Sequence, residues 1–305
     1  MKTLLTFFSV VILFTCKAAV NNTENISPPY FKIILLSDYY RDYLEAVRHD
    51  FANRDKIYAE KTRNPILKNN FAKSEYFEIV AESFLNAPDT IQLAKSLLEI
   101  EFNRKTIEEV ISAALIKCNQ YLKNDSLTFY IIPSTNGMKQ IMQMMGGVSG
   151  LTAGSKQILL TIDPEDNSWK DALPAAVAHE FNHTYWTHTS LNTAYKWTLL
   201  RYMVFEGKAD AFAHFLYPHA KSPWTTSLNE KQKTELWDRI KPLLSSEDPS
   251  VLTEVMFGSQ KYPLWGGYAI GYDIVRSAFE NKSELTPKER TDMDAEKILG
   301  ISKYK

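Results

Sequence analysis

Two histidines four residues apart enclose a glutamate in the run His179-Glu180-Phe181-Asn182-His183. On a helix, positions i and i+4 share a face, so both imidazoles can reach one tetrahedral ion. Glu180 projects beside that ion, outside its coordination shell, where a general base must stand to take a proton from an activated water. A third ligand is expected in Glu206-Gly207-Lys208-Ala209-Asp210, with 22 residues between His183 and Glu206. That interval lets one helix finish, turn and return to the same point. Glu206 sits between Met203-Val204-Phe205 and Ala209, Ala211 and Phe212. In so apolar a setting a carboxylate needs a partner, and a metal would provide one. Asp210 lies at i+4 from Glu206, faces the same way, and is expected to orient the His179 ring. These residue types predict a catalytic Zn2+ and hydrolysis of peptide bonds. Only three protein ligands are evident, and an open fourth position marks a catalytic site. His49, His188, His214 and His219 lack such company and read as ordinary helix residues.

The elements that must position this site can be read from period and punctuation. A strand is expected at 127–132, rich in β-formers and closed by Pro133, and a second at 157–162. Between them, the glycine-rich stretch 146–154 lacks the Gly-Lys-Ser/Thr ending of a phosphate loop and the spacing of a dinucleotide fingerprint, so it reads as a turn leading into a strand. The motif helix should be capped by Ser168 or Asp171, carry Pro174 in its opening turn and run to about Thr187. The next is expected from about Asn192 to Tyr217, stopped by Pro218. Helical periodicity covers 38–122, with a start at Asp89-Thr90, and returns at 230–244, 268–279 and 292–299. The fold class expected is mainly helical α+β, with a small sheet packed on the active-site helix. The substrate is expected to add as an extra strand along 157–162.

Near the C-terminus, Trp265-Gly266-Gly267-Tyr268-Ala269-Ile270-Gly271-Tyr272 places two glycines and two tyrosines at helical spacing. Gly267 and Gly271 would let this helix approach another closely. Tyr268 or Tyr272 could then donate to the oxyanion of a tetrahedral intermediate, or both could simply fill a helix interface.

The 305 residues are 45% hydrophobic and 23% charged, enough to bury a core without disulfides. A net charge of −1 offers no basic footprint for nucleic acid. Lys2 and the apolar stretch 4–14 have the form of an export signal, too short to span a membrane. Leu13-Phe14-Thr15-Cys16 fits lipid anchoring at Cys16, and Cys16-Lys17-Ala18 fits simple cleavage. Either route predicts an exported protein, periplasmic, envelope-anchored or secreted. Cys118 is then left without a partner and reads as a small buried hydrophobe. The order expected is signal (1–18), tether (19–30), helical N-terminal region (31–125) and metallopeptidase domain (126–305).

The run of motifs resembles the predicted zinc-dependent peptidases grouped as domain of unknown function 2268. It rests on Gly146-Gly147 with Ile158-Leu159-Leu160, on Ala178 through His183, on Glu206 through Asp210, and on Trp265 through Tyr272. Asn182 stands where that family often has His, a position outside the ligand set. The resemblance implies a zincin-like, specifically gluzincin-like, fold, with His179, His183 and Glu206 on the metal and Glu180 as base. Two other classes are to be weighed: an envelope protein that keeps the fold and binds peptides with little turnover, and a structural helical protein carrying the motif by coincidence.

Overall fold

A four-stranded mixed sheet, covered on both faces by helices, carries the site. The computed structural model describes residues 30–135, 139–220 and 222–305. The expected export signal, Cys16 and nearly all of the expected tether lie outside these residues. No described helix is long and apolar enough to cross a membrane.

Strand β1 (Tyr30–Leu35) opens the described chain and is followed by α1 (Ser37–His49). Short helical pieces come next: α2 (Arg54–Tyr58), α3 (Asn64–Ile66), π-type turns beside them, and α4 (Phe77–Glu82). The long α5 (Thr90–Cys118) starts where Asp89 accepts the Gln92 N–H, as an N-cap should. Then come β2 (Ser126–Pro133), α6 (Lys139–Met144), β3 (Val148–Gly154) and β4 (Gln157–Ile162). Helices complete the chain: α7 (Trp169–Ser190), α8 (Leu199–Leu216), α9 (Glu230–Ile240), α10 (Pro249–Phe257), α11 (Gly266–Asn281), α12 (Pro287–Asp292) and α13 (Ala295–Ile301).

The strand order is β1-β2-β4-β3, with β1–β2 and β2–β4 parallel and β3 antiparallel to β4. Side chains alternate between the two faces. From β2, Phe129 and Ile131 join a core with α5, α7 and α8, while Tyr130 and Ile132 join a second core with α1, Phe71 and Phe84. Burial on both faces is why β2 and β4 read as continuous apolar runs. A third core gathers the helices from α8 onward.

Four expectations need correction. Residues 30–35, expected as the end of the tether and the start of a helical N-terminal region, form β1, an edge strand. Of the glycine-rich stretch, Gly146 and Gly147 lie in a turn, but Val148–Gly154 is itself a strand, β3. Pro174 falls in the second turn of α7, because the helix already begins at Trp169, and Ser168 makes no side-chain cap bond. Helix α8 starts at Leu199, where Thr198 accepts the Arg201 N–H, leaving Asn192 in a loop.

Asp273, on α11, knots the C-terminal helices together. Its carboxylate lies 2.7 Å from Lys303 Nζ and accepts bonds from Arg276 and the Tyr304 hydroxyl. Burial alone would raise its pKa, but the hydrogen bonds from Lys303, Tyr304 and Arg276 win and bring it down to about 2. A pKa lower in the folded than in the unfolded chain means stability present above about pH 4 and lost as pH falls toward 2. The shift corresponds to about 2 kcal/mol. Asp273→Asn should therefore flatten the acid limb of the stability curve in that window, as measured by urea unfolding between pH 6 and 2.

Candidate metal centre

Helix α7 is buried along most of its length. Leu173, Val177 and Phe181 pack toward the sheet, and His179 and His183 come to lie beside α8. The His179 and His183 Nε2 atoms are 3.0 Å apart, and Glu206 Oε2, on α8, is 3.3 Å from each. One donor atom from each residue lies within 4.8 Å of the others, a set that can hold a metal ion. Asp210 Oδ1 is 3.1 Å from His179 Nδ1, so the Nε2 lone pair of that ring is turned toward the other two donors. His183 is fixed differently: it stacks on Phe205, ring centroids 3.9 Å apart.

Two imidazole lone pairs and a buried carboxylate converging on one point are repulsive without a positive charge between them. The electrostatics agree. Burial would depress the His179 pKa, but Asp210, then Glu206 and Glu180, push it well above its ordinary value. Burial would raise Glu206, yet the flanking His183 and His179 hold it at about 2. The donor set, two imidazole nitrogens and one carboxylate oxygen, is the one zinc takes at open sites. The residues therefore fit the ion.

Asp210 is itself held by residues that the sequence reading missed. Trp224 Nε1 donates to its Oδ2 at 2.6 Å and Ser222 Oγ donates to Oδ1 at 3.0 Å. Both belong to the segment after α8 and form no recognisable spacing with the motif, so only the fold reveals them. Outer partners of this kind set ligand orientation and are worth about 10–100-fold in metal affinity. Trp224→Phe keeps an aromatic ring but removes the N–H; zinc affinity should drop by about tenfold in a chelator competition, with the fold retained.

Glu180, 6% exposed, is pinned against β3. Thr152 Oγ1 donates to Glu180 Oε2 at 2.7 Å and lies 3.1 Å from its carbonyl oxygen. At Gly150, a Cβ would fall 2.5 Å from Glu180 Cγ, so only glycine lets the strand run under this carboxylate. Neither residue carries a sequence signal of its own, although a glycine inside a strand is a mark of close approach.

The two late tyrosines separate. Tyr268 packs on Trp224 at 5.1 Å and has its pKa raised by burial and then by the negative charge of Glu206. Tyr272 lies edge-on to His214 at 6.4 Å; burial and then Asp210 raise its pKa, and Glu206 is not among its neighbours in charge. The helix carrying both approaches α8 backbone to backbone: a Cβ on Gly271 would overlap the Met203 carbonyl, and one on Gly207 the Gly271 carbonyl. Gly267 packs on Met256 instead. Cys118 is buried and free, its thiol pKa pushed up by burial.

Two Bacillus subtilis proteins are similar to this chain. The uncharacterised protein YjfC is 28% identical over 176 residues, covering 52% of this chain and 56% of its own length. The uncharacterised protein YjaZ is 24% identical over 223 residues, 71% of this chain and 80% of YjaZ. The chain thus spans little more than half the length of YjfC. No solved structure matches. A family profile described as predicted Zn-dependent protease covers residues 107–300, from within α5 to α13, and contains every residue of the metal centre. With nearly two thirds of its length under that profile, the chain belongs to the predicted Zn-dependent protease family DUF2268.

Proposed function

We propose that the protein is a zinc-dependent peptidase with a zincin-like active site, in which His179, His183 and Glu206 hold the ion and Glu180 is the general base. The observation that carries this reading is the convergence of those three donors beside a carboxylate pinned to the sheet. Bound there, zinc would supply Lewis acidity to a water and to the scissile carbonyl. The chain's own residues do the rest. Asp210, steadied by Trp224 and Ser222, fixes the His179 ring. Thr152 and the bare backbone of Gly150 fix where the Glu180 carboxylate can receive a proton and later return it to the leaving amine. Of the two late tyrosines, Tyr268, which feels the charge of Glu206, is the one we assign to donate toward a developing oxyanion.

The substrate edge moves. Strand β4 is interior, paired with β2 on one side and β3 on the other, so it cannot accept a further strand. The edge facing Glu180 is β3, and an extended peptide adding there would pass directly beside the carboxylate. The test is a peptide library incubated with wild type and Glu180→Gln side by side, both loaded with zinc. Cleavage by the wild type alone is expected. Peptides bound but uncut by the wild type would favour a binding protein.

A further inference from the structure

The free edge of β3 is not free along its whole length. The Tyr76 N–H donates to the Ala153 carbonyl at 3.1 Å, the one backbone hydrogen bond that reaches β3 from outside the sheet among the described residues. The segment around it is tied down on both sides. Ser155 Oγ donates to Glu75, Ser74 Oγ donates to Gln157 Oε1, and Gln157 Nε2 donates to the Asn70 carbonyl at 2.6 Å. Glu75 packs so closely on Gly154 that a Cβ there would overlap it. From this anchored backbone the Tyr76 side chain crosses to the active-site helix, where its hydroxyl lies 3.1 Å from Thr187 Oγ1, one turn beyond His183. Backbone on the strand and phenol on the helix together bridge β3 and α7 at this end.

We propose that residues 74–76 close one end of the substrate cleft, so that only a short stretch of peptide fits on one side of the scissile bond. The inference rests on the peptidase reading with substrate along β3. Ala153 lies three residues from Gly150, the position beside Glu180, or about 10 Å along a strand. The closed side therefore has room for about three substrate residues. The substrate class is an unstructured peptide cut near one terminus. An internal segment of a long chain, needing room on both sides, is excluded.

Two measurements separate this inference from the reading beneath it. Wild type with zinc is given a mixture of peptides of about twelve residues and the products are sized by mass spectrometry. All cuts should fall within about three residues of the same end. Cuts spread through the interior would overturn this closure while leaving the peptidase intact. Independently of turnover, zinc-loaded Glu180→Gln is tested for binding to one short peptide fused to a folded protein through either its N- or its C-terminus. One fusion should bind about tenfold or more tightly than the other. Equal binding, or none to either, would overturn this closure even if no peptide is ever cut.

Discussion

Glu180→Gln should retain zinc and lose hydrolysis by about 100- to 10,000-fold in kcat, the range general-base catalysis contributes. The metal is retained because Glu180 is outside the donor set; its carboxylate is engaged by Thr152 on β3, and a glutamine oxygen can still accept that hydroxyl. The turnover is lost because the amide cannot take a proton. KM should change little, since the side chain contributes to a proton transfer and not to the strand-like contacts along β3. Zinc content by atomic absorption and kcat on a peptide cleaved by the wild type are the two readouts. A variant that loses both would place Glu180 among the ligands, and one that keeps both would remove it from the chemistry.

Gly271→Ala should be the most destabilising single methyl in the C-terminal half, by about 3 kcal/mol or more. Helix propensity alone favours alanine over glycine by about 1 kcal/mol. The clash decides the sign. Overpacking costs about 1–3 kcal/mol where side chains can shift; here the new methyl meets the Met203 backbone carbonyl, and Gly207 meets Gly271 reciprocally, so α8 and α11 must separate. Because α8 carries Glu206, zinc affinity should fall as well. Gly300→Ala is the control. Nothing lies within 4 Å of a Cβ there, so gaining about 0.5–1 kcal/mol is expected. Urea unfolding of both variants checks the pair.

What could be read from the sequence follows from how local each signal is. The donors His179 and His183 share one helical turn, and Glu206 carries its apolar flanks with it, so period and composition sufficed. The interior strands β2 and β4 were legible because burial on both faces writes a continuous apolar run. Both edge strands were missed. β3 is glycine-bearing for reasons that lie elsewhere in the chain: Gly150 makes room for Glu180 and Gly154 for Glu75. A strand shaped by two distant carboxylates looks like a loop when only its own residues are seen. β1 is announced by its pairing with β2 across about 90 intervening residues, a partner no local pattern can supply. The supports of the site, Thr152, Ser222 and Trp224, belong to the same class of long-range contact.

The close approach of α8 and α11, in contrast, was written in the spacing of Gly267 and Gly271, although only Gly271 touches α8. Of the two tyrosines at that spacing, one helical turn decides which feels the charge of Glu206.

The central claim is that His179, His183 and Glu206 hold a zinc ion. It is tested most directly by the metal content of the purified protein, measured by inductively coupled plasma mass spectrometry for wild type and His183→Ala. About one zinc per wild-type chain, and almost none in the variant, is the result the site predicts. A wild type that stays free of zinc after exposure to it, or a His183→Ala protein that binds as much, would contradict the assignment.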